Sequence, residues 1–314
     1  MAAAHPRFSN RDNWALAAIG TLLVVASVLF TAKAARPDWR HYQSGFRQLV
    51  TAKFGPARAA GLPAGPQQIW VPALGRTDRC VTCHQATNWP GLETAAEPFR
   101  THTPDVLKAH PIDRFGCTSC HGGEGWALDR AGAHGGSRDW PEPLLGKALG
   151  DAYQVGDAWA MMQMNCNRCH RYDRQTRGAG VINRAKQLTR AKGCRACHVI
   201  NGSGGAIGPD LTRVGDKEPE QYDYTHVAGR KTVFAWQVAH FTDPRAVTLE
   251  TVMPNFRLTT SEAQALAILV MSWKSARVPA GFLVGEPRAD VPTAELRDVP
   301  STEGDVSFCA TVDS

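Results

Sequence analysis

Cys194-Arg195-Ala196-Cys197-His198 decides how this chain is read, because the same pattern occurs three more times, as Cys80-Val81-Thr82-Cys83-His84, Cys117-Thr118-Ser119-Cys120-His121 and Cys166-Asn167-Arg168-Cys169-His170. Two thiols three residues apart, followed at once by an imidazole, form the C-x-x-C-H arrangement of covalent haem attachment. The thiols add to the two vinyl groups of one haem, which places the adjacent His beneath the iron as its proximal ligand. A single occurrence would leave a dithiol redox pair or half of a zinc site open. Neither requires His at that place four times. The pattern therefore implies four covalent c-type haems with their irons, bound by Cys80, Cys83, Cys117, Cys120, Cys166, Cys169, Cys194 and Cys197 and ligated by His84, His121, His170 and His198.

Outward from the fourth motif, residues 184–192 place Ala185, Leu188 and Ala191 on one helical face, with Asn183 as N-cap and Gly193 at the stop. A second helix is expected over Lys231–Thr242, stopped by Asp243-Pro244. A third begins near Thr259 with the capping-box pattern Thr259-x-x-Glu262, and Leu266, Leu269, Val270 and Trp273 form its buried stripe. Gly208-Pro209-Asp210-Leu211 follows the motif, and Met253-Pro254 lies 55 residues after His198 (253 − 198). A Pro loop offers its carbonyl to the proximal imidazole, and a Met thioether on the opposite face raises the reduction potential.

With these residues in view, the segment from about 181 to 275 resembles a class I cytochrome c domain. The resemblance rests on the N-terminal helix, C-x-x-C-H, the Gly208–Leu211 loop, Trp236 with His240, Asp243-Pro244, Met253-Pro254 and a final helix. It implies an all-α domain with Met253 as distal ligand, and leaves His226 and His240 as structural residues. The earlier part, with Pro98-Phe99-Arg100-Thr101-His102, Ala109-His110-Pro111 and Cys120-His121-Gly122-Gly123, resembles multihaem cytochrome subunits, some of which accompany bacterial cytochrome b type quinol-oxidising complexes.

The sixth iron ligand separates an electron relay from a substrate-binding haem. Apart from the motif residues, seven His remain: His5, His41, His102, His110, His134, His226 and His240. His102, His110 and His134 lie among the first three motifs and match them in number, so they are the candidate distal ligands there, with no pairing assigned except that His110 suits the first haem. Met161, Met162 and Met164 are rival ligands whose commoner use is helical core packing.

From Trp14 to Ala32 nineteen residues carry no charge. As a helix they would be about 28 Å long, close to the hydrocarbon thickness of a bilayer. A retained single-pass anchor competes with a cleaved signal peptide, since Ala32-Lys33-Ala34 has the small-x-small form of a cleavage site. Covalent haem attachment is extracytoplasmic, which sets the haem-bearing part on the periplasmic side of a bacterial inner membrane. Residues 33–58 continue the anchor as an interfacial helix until Gly61-Leu62-Pro63 breaks it.

The expected fold is mainly α with extensive loops, because Gly 29 and Pro 20 of 314 residues leave few long periodic runs. The expected partition is 1–35 anchor or signal peptide, 36–75 linker, 76–180 loop-rich three-haem unit, 181–276 class I domain and 277–314 extended tail. That tail, with seven acidic and three basic residues, is read as solvated coil or as a partner-docking segment; Cys309 within it has no assigned role.

A formal charge of +6 is reduced by eight haem propionates, so nucleic acid is not implied. Between Asn165 and His198, nine Arg or Lys face one Asp, which suits propionates or an acidic redox partner. The expected function is electron transfer rather than catalysis, with a cytochrome b type or other quinol-oxidising membrane complex as donor and a soluble cytochrome or terminal acceptor downstream. A multihaem reductase with one open iron and a free-standing periplasmic relay are the alternatives.

Overall fold

The computed structural model describes residues 9–34, 37–136, 143–157, 159–275 and 278–285. Among them six helices have ten residues or more: α1 (Asn10–Ala34), α2 (Asp38–Phe54), α3 (Ala160–Cys169), α4 (Gly180–Ala191), α5 (Val233–Thr242) and α6 (Thr260–Met271). The remaining described helices have six residues or fewer, and the described sheet is two three-residue strands, Ile69–Val71 and Arg76–Asp78. His5 and Cys309 fall outside the described residues.

The α1 helix is apolar enough to cross a membrane, and its large side chains, Trp14, Leu22, Leu29 and Phe30 among them, are exposed. Two compact units follow from the packing. One comprises residues up to Ile69 with Asp78–His110 and Gly125–Ala133; the other comprises Trp70–Thr77, Pro111–Glu124 and the chain from His134 onward. The first motif belongs to the former, the other three to the latter. Grouping by contact thus differs from grouping by motif, because α3, which carries the third motif, shares a core with α4 and α6.

In the first unit one face of α2 is part of the folded core. Phe46 and Val50 are fully buried against Ala59, Leu62, Ala86 and Leu92, with Phe54, Trp89 and Phe99 packed around them. The rings of Phe46 and Trp89 meet edge to face at 5.6 Å.

In the second unit α6 is the central rod. The expected stripe, Leu266, Leu269, Val270 and Trp273, is buried, but so is every residue from Ala263 to Val270, since α3, α4 and α5 surround it. The capping box forms as expected, with Thr259 Oγ1 accepting from Glu262 N and the Glu262 carboxylate accepting from Thr259 N. The α5 helix starts at the Thr232 cap and stops before Asp243-Pro244.

Two expectations for α4 are corrected. Asn183 is not its N-cap: the helix begins at Gly180, and the first-turn N–H groups of Val181 and Ile182 donate to Oε1 of buried Gln163 on α3, at 2.9 and 3.2 Å. Asn183 instead pairs with the backbone of Thr176. Ala191 is exposed, and the buried face is Ile182, Ala185, Lys186 and Leu188. The stop at Gly193 holds, with φ 64°.

The described start of the tail packs on its own unit. Val284 N donates to Cys169 O at 2.9 Å, Arg114 donates to Gly281 O, and Phe282 meets Phe115 edge to face at 5.2 Å.

Candidate haem-binding sites

All four motifs close one backbone hydrogen bond in common, though the first is a 3-10 turn, the third ends a long helix and the other two are short α-helical turns. The backbone N–H of each motif His donates to the carbonyl of the first Cys: His84 to Cys80 at 2.9 Å, His121 to Cys117 at 3.0 Å, His170 to Cys166 at 2.9 Å and His198 to Cys194 at 3.0 Å. One helical turn sets residues three apart on a common face, so both thiols of each motif share an edge with the imidazole next to them. Among the described residues none of the eight cysteines is in a disulfide, and all are partly buried. Burial pushes the Cys83 and Cys194 thiols up to about 11, with Asp38 adding to the effect at Cys83, and raises Cys166 and Cys169 as well. These are apolar surroundings of the kind a porphyrin edge needs.

At the fourth site, His198 Nδ1 donates to Pro209 O at 2.8 Å, the contact expected of the Gly208–Leu211 loop. The bond fixes the tautomer, leaving the Nε2 lone pair for a metal. The loop approaches so closely that a Cβ on Gly208 would lie 2.4 Å from His198 Cε1, which is why glycine stands there. Met253 is half-buried against the same core as α4–α6. On α5, His240 stacks on Trp236, ring centroids 4.8 Å apart. Burial, with His198 nearby, pulls the His240 imidazole down to about 4. Its Nδ1 and the hydroxyl of Tyr224 are buried without a hydrogen-bond partner among the described residues. An imidazole with its tautomer fixed and a lone pair left for a metal, near the buried and unpartnered Nδ1 of His240 and in a domain of apolar core, fits a group that is apolar in its body and carries iron, as haem does.

At the third site, His170 Nδ1 donates to the Asp173 carboxylate at 2.9 Å. Lys186, 7% exposed, donates to Asp173 Oδ1 at 2.7 Å and to the backbone carbonyls of His170 and Asp173. Burial pushes the Asp173 carboxyl up, but the hydrogen bonds from Lys186 and His170 outweigh it and hold it below the ordinary carboxylate value. Asn167 bonds Ser272 at the end of α6, and Arg171 bonds Asn201 and the Thr212 carbonyl. The third motif is thereby fastened to the segments that build the fourth site. The second motif rests on the third through Asn165 Nδ2, which donates to Cys120 O at 3.2 Å.

Of the distal candidates, His102 is brought to the first motif: its N–H donates to Thr87 O, and Thr87 Oγ1 donates to His84 O. His110 lies in the same unit, with Nδ1 donating to Val106 O. His134 lies in the other unit, with the second, third and fourth motifs. Met161 is 1% exposed in the core, in keeping with its packing use. Asp173 and Lys186 were not among the residues read from sequence. The spacing His170-x-x-Asp173 was the available signal, but a lone carboxylate three residues past a motif is too common to single out.

Residues 182–274 match the model of the family described as Cytochrome c. Neither a curated protein nor a solved structure matches the chain. The match supports a c-type cytochrome with a C-terminal cytochrome c domain, which carries haem c and its iron and transfers electrons.

Proposed function

We propose that the whole chain is a four-haem electron-transfer subunit, held in the bacterial inner membrane by α1 with its haem-bearing units on the periplasmic side. It takes electrons from a cytochrome b type or similar quinol-oxidising membrane partner and passes them to a soluble cytochrome or terminal acceptor. The observation that supports this reading is the same His-to-Cys backbone bond at all four C-x-x-C-H motifs. A family match covering residues 182–274 accounts for one such site. The other three share that bond.

Each bound haem supplies an iron that takes up and releases one electron. The chain's own residues hold and tune it. The paired cysteines would anchor the porphyrin, and His84, His121, His170 and His198 would ligate its iron. Met253 would be the second iron ligand at the fourth site, and His102, His110 and His134 are the further candidate ligands, the first two in the unit of the first motif and His134 in the other. The bonds from Asn165 to Cys120 and from Arg171 to Thr212 keep consecutive motifs in register, which is what short, repeatable electron steps require.

Mass spectrometry of the acid-denatured mature protein tests the count. Four retained haem masses are expected, and fewer in properly matured protein would defeat the reading. Co-purification with a cytochrome b type subunit tests the partner, and a monomer in mild detergent, unaffected by deletion of its neighbours, would make it a free-standing relay.

A further inference from the structure

Resting on the proposal that the third motif holds a haem, we infer that Asp173 and Lys186 set the reduction potential of that haem by governing the electron density of His170, and so place it below the haem of the fourth motif. Two proximal imidazoles in one unit hold Nδ1 against different acceptors. His198 donates to a neutral amide carbonyl, Pro209 O, at 2.8 Å, and His170 donates to a carboxylate, Asp173 Oδ2, at 2.9 Å. A carboxylate acceptor draws the Nδ1 proton more strongly and makes the imidazole a stronger donor at Nε2, which favours ferric over ferrous iron. A carbonyl does so weakly, and a Met thioether opposite favours the ferrous state.

The carboxylate is built in rather than incidental. Asp173 is 15% exposed and its two oxygens receive His170 Nδ1, Lys186 Nζ and Thr176 Oγ1. Lys186 emerges from the otherwise apolar face of α4, where burying an ammonium is costly unless it is paired. It spends all three donors here, on Asp173 Oδ1, Asp173 O and His170 O. A salt bridge whose cation also grips the ligand's own carbonyl fixes the imidazole and tempers the carboxylate at once. Asp173 and Lys186 are thus positioning residues acting through His170.

The test is a spectroelectrochemical titration of the complete holoprotein, with the EPR g-values of the ferric haems as a second readout. Asp173→Asn keeps the shape and a weaker acceptor. It should raise the midpoint potential of one haem, and only one, by about a tenfold change in its ferric/ferrous ratio, about 59 mV for one electron, and move that haem's g-values. Lys186→Met removes the tempering cation and should shift the same haem the opposite way. A merely structural role would send both variants in one direction, or move no potential. Should the third haem be present and its potential ignore Asp173→Asn, the inference is overturned while the four-haem reading stands. A bare Cys166–Cys169 pair in mature wild-type protein would overturn both.

Discussion

The unit around the first motif and the cytochrome c domain each hold a C-x-x-C-H motif, by different means. In the cytochrome c domain the surroundings are helix on helix: α4 and α5 pack on α6, and the backbone is satisfied largely within those helices. Around the first motif the buried core is six residues, and the loops from Gly61 to Thr101 have little regular structure. Side chains of α2 and its neighbours supply the missing hydrogen bonds. Gln43 donates to the carbonyls of Gly65 and Thr82, Arg47 to those of Ala59 and Leu62, and Thr82 Oγ1 both accepts from Gln67 N and donates to Gln67 O. Buried backbone groups must be paired somewhere. Where helices are few, one helix with long polar side chains does the pairing for the loops around it, which makes α2 structural rather than a spacer.

The largest expected effect follows from that dependence. Phe46→Ala empties a fully buried ring site at the meeting point of Trp89 and Phe99, and should cost about 3–5 kcal/mol. Limited proteolysis between Gln85 and His102 should accelerate, while the optical spectrum of the haem in the cytochrome c domain stays as it was. Equal damage to both signals would break the contrast drawn between the two regions.

A smaller effect is expected on the other side of the comparison. Gly208→Ala forces a methyl to within 2.4 Å of His198 Cε1, and overpacking of this kind costs about 1–3 kcal/mol. Its specific signature should be loss of the His198-to-Pro209 bond, seen as a changed potential and ferric spectrum for one haem. An unchanged spectrum would mean that the loop yields without moving the imidazole.

The smallest concerns the cap of α6. Thr259→Ala should lower the stability of the cytochrome c domain by about 1 kcal/mol in denaturant unfolding. The same cap has a pH dependence. The backbone hydrogen bond from Thr259, followed by Arg184, holds the partly buried Glu262 carboxyl below its ordinary value of 4.5. A carboxyl depressed in the folded state contributes stability above the unfolded value and loses it as pH falls through the folded one. The difference between wild type and Glu262→Gln should therefore be full above about pH 5 and shrink on acidification. A difference that grew towards acid would reverse the sign of this account.

Much of the site was legible in the sequence because it is written at short range. The two thiols and imidazole of each motif are neighbours along the chain, the Thr259–Glu262 cap spans three residues, Asp243-Pro244 ends α5 through proline's own geometry, and Pro209 reaches His198 across only eleven positions. In each case the bonds, angles and spacing leave few alternatives, so residue identity determines the outcome by itself. Only the tertiary structure decided the rest. The start of α4 is capped by Gln163 from another helix, so the local candidate Asn183 was released to Thr176. Lys186 lies within the buried face of α4 because Asp173 and His170 meet it there; α2 turns its Phe46 inward because Trp89 and Phe99 arrive to cover it; and Val284 finds the carbonyl of Cys169 from 115 residues away (284 − 169). Each of these depends on which distant atom is left needing a partner once the cores have closed, and that is a property of packing that no local window of the chain contains.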